Sequence, residues 1–225
     1  MGFPPSSTLL LELTIRADKL GLIFRDAPEI NEELFVGRRS ELQEMQKILK
    51  PNELDSKQRK LVLGGMGGIG KTQLAIAYAK CHWQSYDSVF WLNATTESLL
   101  QNSIRSITSL FDALGDLSGY GDTLLLTFFH KWLSQSNNTR WLLILDNYDD
   151  PQSYALRKFL PLCSHGSIIV TTRQTMDVAE GFACAPIHLR PLVSLEEALK
   201  VLATRSGRQI LESGNAHYAH YVCGR

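Results

Sequence analysis

Gly64-Gly65-Met66-Gly67-Gly68-Ile69-Gly70-Lys71-Thr72 is the stretch whose reading decides the fold. A short apolar run, Lys60-Leu61-Val62-Leu63, leads into it, and a pattern with Leu74, Ala75, Tyr78 and Cys81 on one helical face leads out. Strand, glycine turn and helix thus follow in order, and from Gly65 the residues fit Gly-x-x-x-x-Gly-Lys-Thr, the loop that cradles nucleoside-triphosphate phosphates. Gly67, Gly68 and Gly70 let the backbone turn tightly and bring N–H groups against phosphate oxygens. The helix start supplies a positive dipole end, Lys71 reaches the β- and γ-phosphates, and the Thr72 hydroxyl suits Mg2+. A glycine-rich turn that only links strand to helix is the plainer alternative, and it leaves the Lys-Thr pair unexplained.

Outward from the loop, composition sets bounds. The chain has 225 residues, 44% of them hydrophobic, enough to bury the core of one large α/β domain. Lys plus Arg equals Asp plus Glu at 23 each, so no global charge draws nucleic acid or an anionic membrane. The only basic cluster in sequence, Lys57-Gln58-Arg59-Lys60, reads as a solvated strand entrance. Cys81, Cys163, Cys184 and Cys223 form no Cys-x-x-Cys pair, which favours reduced thiols over a disulfide framework or a zinc site. His82, His165 and His188 lack metal-ligand spacing. Glu12 interrupts the apolar run Leu9-Leu10-Leu11 and no basic region precedes it, so it makes a poor signal peptide. No run approaches the roughly 18 apolar residues of a membrane span. The expected setting is cytoplasmic.

Residues 1–34 read as a linker or N-terminal extension, with a short helix over Leu9 to Leu20 broken at Asp26-Ala27-Pro28. Arg38 to Lys50 is amphipathic, with Leu42, Met45, Ile48 and Leu49 on one face and Pro51 ending it. Strands are expected over 60–64, 88–92, 141–145, 167–171 and 187–189. Helices are expected over 71–83, 97–113, 122–135, near 152–160 and over 195–205. Apolar strands alternating with helices imply a parallel five-stranded sheet buried on both faces, the three-layer sandwich of P-loop nucleotide-binding proteins.

The third strand ends in Asp146, where ligands bind in open α/β sheets, and with Thr72 it is suited to hold Mg2+. The alternative for this acidic stretch is helix capping, which describes Asp149 or Asp150. Many hydrolytic P-loop enzymes place a glutamate after the strand-end aspartate, whereas this chain has Asn147. A carboxamide orients water but does not take its proton at neutral pH, so the site favours binding over rapid turnover. The fourth strand ends Thr171-Thr172-Arg173, which sends a guanidinium out at the phosphate edge.

Taken together, Phe35-Val36-Gly37-Arg38, Gly64 to Thr72, Leu142 to Asp146, Gly166 to Arg173 and Leu189-Arg190-Pro191-Leu192 resemble the NB-ARC branch of the STAND nucleotide-dependent switches. That family occurs in plant resistance proteins, apoptotic adaptors and filamentous-fungal receptors. The resemblance implies a nucleotide-binding domain over 35–207. It implies that Val36, Gly37 and Arg38 border adenine, and that Gly65, Gly67, Gly68, Ile69, Gly70, Lys71, Thr72 and Gln73 hold the phosphates of ADP or ATP. It further implies that Asp146 partners the Mg2+, that Arg173 senses the γ-phosphate and that Pro191 lies near the base. Strand four would stand between the loop strand and the Asp146 strand. Residues 208–225 read as a truncated tail, since the family's Gly-x-Pro-Leu motif, small helical domain and winged-helix domain have no counterpart. A signalling module with protein partners or self-association is the leading function. A true P-loop ATPase or kinase, and a degenerate interaction fragment, stand beside it.

Overall fold

The computed structural model describes residues 37–51, 57–114 and 119–191. The expected helix over 195–205 and the one near the N-terminus lie outside the described residues. Five strands form one parallel sheet: β1 (Arg59–Gly64), β2 (Ser88–Asn93), β3 (Trp141–Asp146), β4 (Ser167–Thr172) and β5 (Pro186–His188), in the spatial order β2-β3-β4-β1-β5. As expected, β4 stands between the loop strand and the Asp146 strand. Helices α1 (Arg39–Leu49), α2 (Lys71–Cys81), α3 (Glu97–Thr108), α4 (Asp122–Leu133) and α5 (Thr175–Phe182) flank the sheet.

The layering follows from the two-residue period of strand side chains. Leu143 and Leu145 of β3 face one cluster with Phe128, Phe129 and Trp132 of α4, Leu100 and Ile104 of α3, and Val178 and Phe182 of α5. Leu142 and Ile144 face the other way, toward Met45 and Leu49 of α1 and Leu74 and Tyr78 of α2. Because both faces are covered, all six residues of β3 and of β4 are buried. Burying each large aliphatic side chain contributes about 1.5–3 kcal/mol.

Several elements depart from the sequence expectation. Helix α2 is buried almost all round, from Leu74 through Ala79, because α1 covers the face expected to meet water. The helix over 97–113 is α-helical only to Thr108 and continues as a 3-10 turn, Ser109–Leu114. No α-helix forms near 152–160; a turn leads to a short 3-10 segment, Leu156–Phe159. There Asp150 closes the turn by accepting from the Gln152 N–H at 3.2 Å and the Ser153 hydroxyl at 2.9 Å. Tyr148 Oη donates to the Tyr154 carbonyl at 2.8 Å, and Tyr154 Oη donates to the Ala94 carbonyl. These bonds, of which the one to Ala94 is long-range, hold the backbone in a shape that helical pairing would forbid. Tyr154, Leu156, Phe159 and Leu160 are buried and anchor this loop in the core.

A parallel sheet puts all its carboxyl ends on one edge. Gly64, Asp146, Thr172 and His188 therefore emerge together, each ending its strand. Among the described residues no helix is long and apolar enough to cross a membrane.

Candidate functional site

The loop between β1 and α2 is shaped at its first residues by contacts with β5. Leu189 donates its N–H to the Gly64 carbonyl at 2.8 Å, which brings the chain after β5 against the loop. Gly65 has φ 140, and a Cβ there would stand 2.9 Å from the Leu189 carbonyl oxygen. Only glycine fits both the backbone angle and the close approach. Helix α2 then begins from Gly70 with no side-chain cap and no acid in its first turn. The other described α-helices each have an acid in that turn, Glu41, Glu97, Asp122 or Asp177. The α2 start thus keeps its N–H groups and positive dipole end uncompensated by a carboxylate of its own, the electrostatic requirement for an anion seat.

Lys71 is buried and curls back over the loop, donating to the Gly65 carbonyl at 2.8 Å and the Met66 carbonyl at 3.0 Å. Burial holds its pKa below the ordinary lysine value; Asp149 and Asp146 pull it back up, and Arg173 pushes it down. Two neutral carbonyls are a modest counterpart for a buried ammonium, so an arriving phosphate meets a cation already desolvated and in place.

Beside it, Asp146 Oδ1 accepts from Thr72 Oγ1 at 2.9 Å and from Thr171 Oγ1 at 2.6 Å. Burial raises the Asp146 pKa, and the two threonine hydroxyls and Lys71 oppose the rise. Thr72 Oγ1 and Asp146 Oδ1 are also spaced to fit one edge of a small hard cation's coordination shell. Their 2.9 Å separation is that of adjacent oxygens around an octahedral Mg2+ with bonds of about 2.0–2.1 Å. Among the described residues no three His, Cys, Asp or Glu side chains gather into a metal cage. These residues fit an ion that arrives with phosphates and retains water.

Asn147 follows at φ 65, its N–H donating to Thr171 Oγ1 at 2.9 Å and its Nδ2 to Asp146 Oδ2 at 3.2 Å. Its carboxamide is therefore committed to the Asp146 carboxylate. Arg173 meets Asp149: its backbone N–H reaches Oδ1 at 2.7 Å and its Nε reaches Oδ2 at 2.5 Å. A Cβ on Gly67 would lie 3.9 Å from the Arg173 Cδ, so this side chain runs beside the phosphate loop.

Arg38 has φ 61, pairs with Glu41 at 2.8 Å and donates from its other guanidinium nitrogen to the Ile69 carbonyl at 3.3 Å. Gly37 and Arg38 therefore border the loop. Gln73 lies in the first turn of α2 and is half-buried. Pro191 is exposed, two residues beyond the Leu189 contact with Gly65. Val36 lies outside the described residues.

Sequence reasoning did not foresee Thr171 as an Asp146 partner, nor Asp149 as the carboxylate that holds Arg173. The signal for Asp149 was present as the first acid after β3, but its pairing depends on β4 lying next to β3. Of the histidines, His165 Nε2 is 2.9 Å from the Leu133 carbonyl and His188 Nδ1 is 3.2 Å from Thr175 Oγ1. Among the described residues, Cys81, Cys163 and Cys184 form no disulfide.

A concavity of about 560 Å3 lies elsewhere among the described residues, at the amino ends of the strands between Lys50, Lys57, Arg59, Arg140 and His165. Space is a weaker guide here than chemistry: Arg140 is already engaged by the Ser85 and Gln84 carbonyls at 3.2 and 3.0 Å. The sequence showed Lys57 and Arg59 as one basic cluster, but not that Lys50, Arg140 and His165 join it.

Comparison with known proteins agrees with this arrangement. The solved structure of Cdc6p from Pyrobaculum aerophilum superposes with a TM-score of 0.53 over 79% of this chain and 54% of that one, at 13% identity. That likeness concerns the fold alone. A nucleotide-binding leucine-rich repeat (NLR)-like protein of Hyaloscypha variabilis is 31% identical over 155 residues, 62% of this chain. The match spans only 16% of that relative's length. The model of the NB-ARC domain matches residues 39–211, most of the chain. The chain belongs to the NB-ARC domain family of P-loop nucleotide-binding proteins.

Proposed function

We propose that this domain binds ADP or ATP together with Mg2+ as the nucleotide module of a signalling switch, and hydrolyses the nucleotide slowly if at all. The observation that carries the reading is the convergence of Lys71, Thr72 and Asp146 at the uncapped start of α2. In it, the N–H groups of Gly65 to Thr72 and the Lys71 ammonium take the phosphates. Thr72 and Asp146 hold the ion, which when bound neutralises phosphate charge. Gln73 lines the first turn of α2, Gly37 and Arg38 flank the base side with Val36, Pro191 lies near the base, and Arg173 reads the γ-phosphate.

Two facts favour holding over turnover. Asn147 stands where a base would be needed, and its amide is tied to Asp146 at 3.2 Å. It has no affinity for a water proton at neutral pH. The NLR-like name of the fungal relative supports a place in cytoplasmic receptor signalling with protein partners.

Titration calorimetry with ADP and with ATP, each with Mg2+, tests this directly on the wild-type chain and on Lys71→Ala. Binding by the wild type and at least tenfold weaker binding by the variant are expected, since one charge-assisted phosphate contact is worth about 1.5–3 kcal/mol. No binding at millimolar nucleotide would sink the proposal. Turnover on the order of 10 per second, an ordinary enzyme rate, would replace it with the ATPase reading.

A further inference from the structure

The aspartate that holds Arg173 occupies an unusual place for a carboxylate. Asp149 belongs to the loop after β3, and its position is fixed by backbone bonds: Tyr148 N–H to the Thr171 carbonyl at 2.9 Å, and Asp149 N–H to the Asn147 carbonyl at 3.0 Å. From there it grips Arg173 twice, at the backbone N–H and at Nε. It also acts on Lys71, for which it is the strongest of the neighbouring charges. Asp149 is therefore in electrostatic contact with both cations that a triphosphate would use, and Asp146 feels it as a like charge. An acid whose purpose was only to cap a turn would not face two phosphate-directed cations.

Resting on the nucleotide-binding reading above, we propose that Asp149 is a built-in competitor for the γ-phosphate, holding Arg173 and biasing the site toward nucleoside diphosphate. The β-phosphate seat on the loop and Lys71 does not require Arg173 to move. A γ-phosphate that recruits Arg173 must displace the Nε bond to Asp149 and bring its own negative charge close to that carboxylate. The Arg173 side chain is 61% exposed and that of Asp149 21% exposed, so the pair is not locked in a dry interior. A partly exposed ion pair of this kind adds little to the fold, which lets a phosphate compete for it. The like-charge repulsion between that phosphate and the Asp149 carboxylate adds to the discrimination.

The experiment compares ATP and ADP affinities, with Mg2+, of wild type, Asp149→Asn and Asp149→Ser. Serine keeps a short acceptor for the Arg173 N–H without charge, so the two variants guard against a folding defect peculiar to either. Both are expected to tighten ATP by about tenfold relative to ADP, one decade being 1.4 kcal/mol. In an Arg173→Ala background the same substitutions are expected to change the ratio by less than half as much on a logarithmic scale. An ATP-to-ADP ratio unmoved by either variant, with binding intact, overturns the inference while leaving nucleotide binding standing. An equal effect with and without Arg173 overturns it too, leaving only a general charge effect. Loss of ATP affinity or of turnover in the variants would instead make Asp149 a direct participant, against the proposal. Failure of every chain, wild type included, to bind either nucleotide removes the reading on which it rests.

Discussion

At the scale of single residues, Asp146 is where binding chemistry and stability pull against each other. Its pKa is raised by burial above the unfolded value of about 3.9, so the folded state holds that proton more tightly than the unfolded chain does. Its contribution to stability is therefore fully present below about pH 3.9 and is lost as pH climbs through the raised folded value. At neutral pH the ionised carboxylate costs stability. Asp146→Asn removes that cost and keeps an Oδ1 able to accept from Thr72 and Thr171, while Asn147 can rotate its amide to present an acceptor. The expected result is a Tm at pH 7 equal to or above wild type, with a clear loss of Mg2+-dependent ATP affinity; a lowered Tm with affinity retained would contradict it. Gly166 poses a purely steric case. It has φ 81, and a Cβ there would lie 2.1 Å from Trp141 Cε2, inside the buried indole. Gly166→Ala combines left-handed backbone strain with overpacking and is expected to cost about 3 kcal/mol in urea unfolding. A cost below about 1 kcal/mol would mean that the indole can yield.

Among the elements, the pinning of α1 shows how the loop acquires its neighbour Arg38. The Leu49 carbonyl, at the last residue of α1, accepts from Tyr86 Oη at 3.1 Å and from Ser167 Oγ at 2.9 Å. Tyr86 in turn meets Tyr78 Oη of α2 at 2.8 Å. One carbonyl thus ties α1 to α2, to the approach to β2 and to the start of β4. Tyr86→Phe leaves the buried Tyr78 hydroxyl without this partner and is expected to cost about 1–3 kcal/mol. Since Leu49 retains one donor in either single variant, Tyr86→Phe with Ser167→Ala should destabilise by more than the sum, by at least ~0.5 kcal/mol. Strict additivity in denaturant titrations would show that the carbonyl finds water instead. Such ties explain what the sequence could and could not disclose. The strands were readable because continuous apolar runs such as Trp141 to Leu145 reflect burial on both faces. The loop was readable because Gly-Lys-Thr chemistry is local. The contact of Arg38 with the Ile69 carbonyl, and of Leu189 with Gly64, depend on which strands stand side by side, which no local pattern encodes. The missing helix after Asp150 follows the same logic, since Tyr148 and Tyr154 hydroxyls outside any periodicity set that backbone.

The whole molecule is organised by a sheet whose strands serve two cores at once. Leu143 and Leu145 pack into one layer and Leu142 and Ile144 into the other, so neither helical layer can leave without stripping the strands that support its opposite. Trp132 of α4 is a sensitive reporter of that coupling. It is 2% exposed and stacks edge-on against Phe90 of β2 and Phe111, with ring centroids 5.5 and 5.3 Å away. Trp132 belongs to the cluster on the face of the sheet opposite α1 and α2. Truncation to Trp132→Ala empties a large apolar volume and is expected to cost about 3–5 kcal/mol. If the two layers form one cooperative unit, unfolding followed by far-UV circular dichroism and by release of bound nucleotide will coincide in wild type and variant alike, both moving to lower denaturant together. If the layers are independent, the variant will lose helical signal in a first step while nucleotide stays bound at the α2 side. The shared strands favour the first outcome, because a break in the α3–α4 layer exposes Leu143, Leu145 and Phe90 on the same strands whose alternate residues, Val89, Trp91, Leu142 and Ile144, share the other core with α2.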